Sequence, residues 1–141
     1  MRRFHNDIKR NIINKAFQLI LVNEKITTIR VIDLACGRGG DLLKWQNNSI
    51  FIKYLGVDFS NELLNEAIQR NSNINNEHFD AQFKLIDLSK ESLDECHQKS
   101  NIMSCQFALH YFYKSIDVWE TFLKSITSNL MNDGKLNLIY L

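Results

Sequence analysis

VIDLACGRGGDLLKW, Val31 to Trp45, decides how this chain is read. An apolar run carries an acid near its end, a glycine-rich loop follows, and an amphipathic segment begins. That is the outline of a nucleotide-binding turn, with a strand over Ile29–Leu34 and a helix predicted from about Gly39 to Trp45. The glycines are spaced awkwardly for a dinucleotide fingerprint. From Gly37 the pattern G-x-G-x-x-G needs a third glycine where Leu42 stands, and from position 35 it meets Ala35 first. Asp41 would also place an anion at the helix start, where a pyrophosphate lies in such folds.

Outward from the loop, strands alternate with helices. Phe4, Ile8, Ile12, Ala16 and Ile20, with Ile13, Phe17 and Leu21 beside them, predict an N-terminal helix with a broad buried stripe. Strands are predicted over Ile52–Val57, Ala81–Ile86, Ile102–Phe107 and Lys135–Leu141. Ser60 is placed to cap the helix after the second strand, and a weak helix is expected over Leu88–Gln98. Asp117 and Glu120 suggest a capping-box start for a last helix, with Asn132-Asp133-Gly134 ending it. This order implies an α/β fold, a mostly parallel Rossmann-like sheet with helices on both faces. It is expected to be one domain over residues 1–141, truncated at strand five. A sheet ending there carries an unpaired apolar edge, which folded proteins avoid, so either another chain segment covers that edge or the chain is a fragment.

Composition bounds the function. The chain has 141 residues, 45% hydrophobic and 23% charged, with a net charge of +1. A protein so nearly neutral is not a polyelectrolyte-like nucleic-acid binder, so any anion site is local. Cys36, Cys96 and Cys105 lack metal-ligand spacing and fit reduced thiols in an intracellular protein. No metal, membrane span or secretory signal is expected. Proline is absent, which fits coding bias in an AT-rich genome.

S-adenosylmethionine suits the loop better than a nicotinamide dinucleotide does. It carries no phosphate, so no anion cradle is needed, while Asp33 and Asp41 are apt neighbours for its ammonium and sulfonium. Asp58 ends strand two, where a ribose diol wants a carboxylate, and Asp87 ends strand three near the adenine.

With those residues in place, a resemblance can be stated. VIDLACGRGGDLLKW, YLGVDFS and SCQFALHYFY, in that order and spacing, resemble the mRNA cap guanine-N7 methyltransferases, a family of class I S-adenosylmethionine-dependent enzymes. FHNDIK resembles the Phe-Asn-Asn-Trp-Ile-Lys motif of that family's first helix. The resemblance implies that Lys9, Ala35, Gly37, Asp41, Asp58, Asp87, Gln106 and Tyr111 bind the cofactor. Within that set Lys9 reaches its carboxylate, Asp58 holds the ribose, and Asp87 lies against the adenine. It further implies that His5, Asn6 and His110 lie near the cap guanine, with Arg38, Lys44 and Arg70 facing the triphosphate bridge. Ala35 stands for the commoner glycine, Arg38 for lysine, and His5 and Asp7 for asparagine and tryptophan.

The implied reaction transfers a methyl group from S-adenosylmethionine to guanine N7 of the mRNA cap. That nitrogen has a free lone pair, so no catalytic base is nominated. The implied partners are the capped 5′ end of mRNA and other capping components. The implied compartment is the nucleus for a cellular enzyme, or the site of viral transcription for a viral one. Two alternatives stay open: a methyltransferase acting on another nucleotide or small molecule, and a truncated module that binds but does not catalyse.

Overall fold

The computed structural model describes residues 1–94 and 98–139. Thr28–Leu34 (β1), Phe51–Asp58 (β2), Phe79–Leu85 (β3), Ser100–Gln106 (β4) and Leu130–Ile139 (β5) form one sheet, with helices Arg2–Leu21 (α1), Asn61–Ser72 (α2) and Ile116–Asn129 (α3). The order is β3-β2-β1-β4-β5 and all described pairings are parallel. From β1 the chain builds outward to β3, then returns to lay β4 on the other side of β1. Strand order therefore reverses between β1 and β4, which opens a crevice at their carboxyl ends.

Alternation along β1 sorts its side chains to two cores. Ile29 and Val31 face Ile13, Ala16, Phe17 and Ile20 of α1, together with Trp45 and Ile52. Ile32 and Leu34 face Phe122 and Ile126 of α3, with Met103 and Cys105 of β4. Every residue of β4 is buried, polar ones included. Most of those polar groups are partnered: Ser100 Oγ donates to the Asn129 carbonyl at 2.9 Å, and Asn101 Oδ1 accepts from the Arg30 N–H at 2.8 Å, Gln106 Oε1 being the exception. Buried polar groups are tolerated on these terms.

α1 has 20 residues, about 30 Å of helix. Its fully buried residues are confined to Ile13–Ile20, and Phe4, expected in the stripe, is 64% exposed. The first turns overhang the sheet, and that overhang brings His5 and Lys9 over the crevice.

Several boundaries differ from expectation. Only Leu42–Lys44 forms a short 3-10 turn where a helix over Gly39–Trp45 was predicted. The left-handed Gly37 and Gly39 stop a regular helix from starting, and the buried Trp45 anchors the end of the turn instead. Leu88–Asp94 is turn and irregular chain, not helix. The Asp87 carbonyl accepts from Lys90 and Glu91 N–H in one turn that does not propagate, while Leu88 and Leu93 are drawn into the α3 core. Residues 95–97, and Cys96 with them, lie outside the described residues.

Ser115, not Asp117 with Glu120, caps α3, its Oγ accepting from Val118 N–H at 3.3 Å. The helix ends at Asn129, before Asn132-Asp133-Gly134. There the register jumps from Ser100↔Leu130 to Ile102↔Lys135, so those three residues lie in an irregularity of β5. The buried Asn129 amide donates to the Leu93 and Ser125 carbonyls and pins the junction.

Candidate active site

The loop after β1 is shaped by residues in the left-handed region: Ala35 (φ 62°), Gly37 (φ 57°) and Gly39 (φ 75°). Gly39 has a second constraint, since a Cβ there would lie 3.1 Å from Ala67 Cα and Cβ on α2. Gly37 has open space around it, so its requirement is conformational. Ala35 holds the same left-handed conformation with a side chain, which is strained.

The loop is tied to β2. The Cys36 N–H donates to the Val57 carbonyl at 2.9 Å, and the Gly37 N–H donates to Asp58 Oδ2 at 2.8 Å. Asp58 Oδ1 accepts from the Ser60 N–H at 3.0 Å, while Ser60 Oγ caps α2 through Leu63. Two backbone donors thus fix Asp58, which is almost wholly buried yet lines the cleft.

That cleft has a volume of about 360 Å³, within the range of small-molecule sites. Ala35, Gly37 and Asp58 form one wall; Ile86, Asp87, Leu88 and Ser89 another; Ala108, Tyr111, Phe112 and Lys114 a third. Phe59 and Tyr111 stand across its mouth, ring centroids 6.5 Å apart, both substantially exposed. Asp87 Oδ1 accepts from both the Ser89 N–H at 3.0 Å and the Ser89 hydroxyl at 2.5 Å. The Ser89 hydroxyl bond, above all, lowers the Asp87 pKa.

Beside the cleft lies a charged cluster. Lys9 Nζ reaches Asp41 Oδ2 at 2.7 Å, and Lys44 Nζ reaches Asp41 Oδ1 at 2.7 Å. Lys44 also donates to the Gly40 carbonyl at 3.2 Å. Beneath it Asp33 is buried, its Oδ2 accepting from the Tyr54 hydroxyl at 2.8 Å. Burial first, then the Asp41 charge, pushes the Asp33 pKa up to about 7, against the opposing pull of Tyr54 and Lys9. Burial likewise pushes the Cys105 thiol up to about 12 and raises Cys36, so neither is a reactive thiolate.

The remaining expected residues fall into two groups. His5 packs on Phe107, centroids 4.7 Å apart, and Lys9 Nζ lies 5.4 Å from the same ring. Phe107 directly follows β4 with φ 58°, which turns its ring toward α1. Asn6 is exposed beside His5, and the His110 ring lies tilted against Tyr111, centroids 4.1 Å apart. Gln106 is buried outside the cleft wall, Nε2 donating to Ser104 Oγ at 2.9 Å and Oε1 left without a partner.

Arg38 and Arg70 are exposed, and Arg38 Nε lies 3.8 Å from Glu66 on α2. Lys44, grouped with them from sequence, instead points inward to Asp41. Phe59, Ser89 and Lys114 line the cleft without having been singled out. Phe59 and Ser89 each lie within two residues of a strand-ending acid, which was the available signal. Among the described residues no cluster of ligands for a metal ion is present, and no helix is long and apolar enough to cross a membrane.

Parallel order, switch-point cleft and strand-end acids together define a class I methyltransferase fold. Solved structures with this fold include an S-adenosylmethionine-dependent methyltransferase from Clostridium acetobutylicum (TM-score 0.63, 22% identity, 87% of this chain and 48% of that one). DesVI from Streptomyces venezuelae also shares it (TM-score 0.66, 15% identity, 99% of this chain and 55% of that one).

Residues 1–138 match the mRNA (guanine-N(7))-methyltransferase domain, and the chain belongs to that family. Relatives named mRNA cap guanine-N(7) methyltransferase share 35% identity in Caenorhabditis briggsae, 31% in Drosophila melanogaster and 30% in Schizosaccharomyces pombe, each match covering 95% of this chain. The chain spans about a third of the length of these curated relatives, with 36%, 34% and 37% covered respectively.

Proposed function

We propose that this chain forms the cofactor-binding portion of an enzyme that transfers a methyl group from S-adenosylmethionine to guanine N7 of the mRNA cap. The observation that carries the reading is the cleft, bounded by Gly37, Asp58, Asp87 and Tyr111, which opens beside the Lys9–Asp41–Lys44 cluster. The relatives named above act on the same cap position.

The residues present fit that cofactor. Gly37 offers no Cβ to the cleft, and the Asp58 carboxylate, oriented by Gly37 and Ser60 N–H, suits a ribose diol. Asp87, held ionised by Ser89, is an acceptor for the adenine amino group, and Tyr111 with Ala35 supplies apolar wall. Lys9 keeps donors free beyond its bond to Asp41 and is placed for the cofactor carboxylate. Asp41 acts by positioning Lys9. Gln106 Oε1, buried without a partner, is an acceptor held next to the site.

On the substrate side His5, Asn6 and His110 face the guanine, while Arg38 and Arg70 offer exposed cations to the triphosphate bridge. Lys44 contributes through Asp41. S-adenosylmethionine supplies the methyl group, and guanine N7 offers a lone pair with no proton to remove. The protein therefore needs no general base: it aligns donor and acceptor, an effect worth up to roughly 7–11 kcal/mol. Other capping components are the partners this reading expects, in the compartment where the transcripts are made.

The test is to incubate the protein with methyl-labelled S-adenosylmethionine and RNA bearing an unmethylated guanosine cap, then digest and identify the product. Label in 7-methylguanosine is expected. Cofactor binding without transfer would instead mark a binding module, and label in free nucleotides alone would mark a different substrate.

A further inference from the structure

The buried stripe of α1 does not stop where the sheet ends. Ile20, Phe17, Ala16 and Ile13 lie against the core, and the same face continues through Lys9, Asn6 and His5 to Arg2. The spacing 2, 5, 6, 9, 13, 16, 17, 20 is a single helical face. Lys9 on this face reaches the glycine loop, and His5 one turn further out packs on Phe107. Arg2 lies about a turn before His5 and Asn6 on the helix, with Arg3 adjacent to it.

Both arginines are exposed, and among the described residues neither is ion-paired with an acid. α1 carries Arg2, Arg3, Lys9, Arg10 and Lys15 against the single acid Asp7, in a chain whose net charge is only +1. The positive charge is thus concentrated on one element, and part of it extends in line with the site.

We propose that Arg2 and Arg3 form a cationic track that binds the phosphodiester backbone of the nucleotides immediately following the cap. This rests on the reading of the neighbouring site as a cap site. A guanine held by His5, Asn6 and His110 must have its transcript leave the site, and the first turn of α1, one turn from His5, offers that transcript two exposed cations. Two guanidiniums, each able to pair bidentately with a phosphate, suit a backbone whose sequence is arbitrary. The contact selects RNA over free cap nucleotide by length, not by base.

The experiment compares binding of an unmethylated cap dinucleotide and a capped decamer by fluorescence anisotropy across a series of salt concentrations. The decamer is expected to bind more tightly. Its plot of log K against log salt should be steeper by about 1.4, as two single-strand phosphate contacts require. The double variant Arg2→Glu, Arg3→Glu should lose both the gain and the added slope, with Arg2→Gln, Arg3→Gln between the two. Both should bind the cap dinucleotide and S-adenosylmethionine as the parent does.

Lys15→Glu, on the far side of the same helix, should leave decamer binding unchanged. Equal affinity of the parent for dinucleotide and decamer would overturn the track. So would a loss in Lys15→Glu as large as in the arginine variants, since that would mean diffuse attraction. Failure of the cap reading is separable: the dinucleotide would then not bind, whatever the decamer does.

Discussion

Lys9 Nζ lies 2.7 Å from Asp41 Oδ2, and through that contact the N-terminal helix is joined to the glycine loop across 32 residues of chain. Lys44 Nζ closes the other oxygen of Asp41 at 2.7 Å. The carboxylate is therefore a structural keystone as well as a neighbour of the proposed cofactor site. Asp41→Ala leaves two partly buried cations facing one another and is expected to lose about 3 kcal/mol of stability by denaturant titration. Lys9→Met removes one charge from the cluster and retains the helix, so it should cost less in stability than Asp41→Ala. It should weaken S-adenosylmethionine binding by roughly 1.5–3 kcal/mol, the worth of one charge-assisted hydrogen bond.

Ala35 sits at φ 62° with its side chain on the cleft wall. Glycine adopts that conformation without the steric penalty, although it loses more entropy on folding. Ala35→Gly is expected to raise stability by about 0.5–1 kcal/mol and not to weaken cofactor binding. Gly39→Ala is the converse. It meets both the φ of 75° and the 3.1 Å approach to Ala67, and should lower the melting temperature clearly. A stabilised Gly39→Ala protein would contradict the packing of the loop on α2.

Asp33 has its pKa pushed up to about 7 by burial and by Asp41. Because the folded value exceeds the unfolded one, the folded state holds the extra proton between about pH 4 and pH 7, and stability falls as pH rises through that window. Above the folded pKa the loss is complete, roughly 4 kcal/mol at most from this one group. Asp33→Asn removes the charge but keeps an acceptor for Tyr54. Relative to the parent, it should gain stability as pH is raised from about 5 to about 8 in parallel denaturant titrations. A difference that stays constant with pH would mean that Asp33 does not hold the proton.

The sheet was legible in the sequence because each strand is a short apolar or β-rich run bounded by turn residues, and Asp58 and Asp87 mark their ends. The cleft followed from those acids together with the glycine loop. Less legible was whatever depends on residues distant in sequence. Leu88–Asp94 has helical composition, but Leu93 is drawn into the core and its N–H donates to Ser125 Oγ on α3 at 2.9 Å. Lys44 groups by sequence with the cations facing the triphosphate bridge, yet it turns inward to Asp41. Phe4 fits the apolar period of α1, yet it is exposed because the helix extends past the sheet it packs on. Local pattern fixed the strands and the three long helices; tertiary contacts decided the short segments between them and the choice between surface and interior.

The most direct measurement is a calorimetric titration of the protein with S-adenosylmethionine, beside the same titration of Asp58→Ala. Asp58 both orders the loop through Gly37 and lines the cleft, so the parent is expected to bind one equivalent and the variant to lose most of that affinity. Circular dichroism should show the variant still folded. No heat of binding to the parent, or equal affinity in the folded variant, would contradict the assignment of this cleft to the methyl donor.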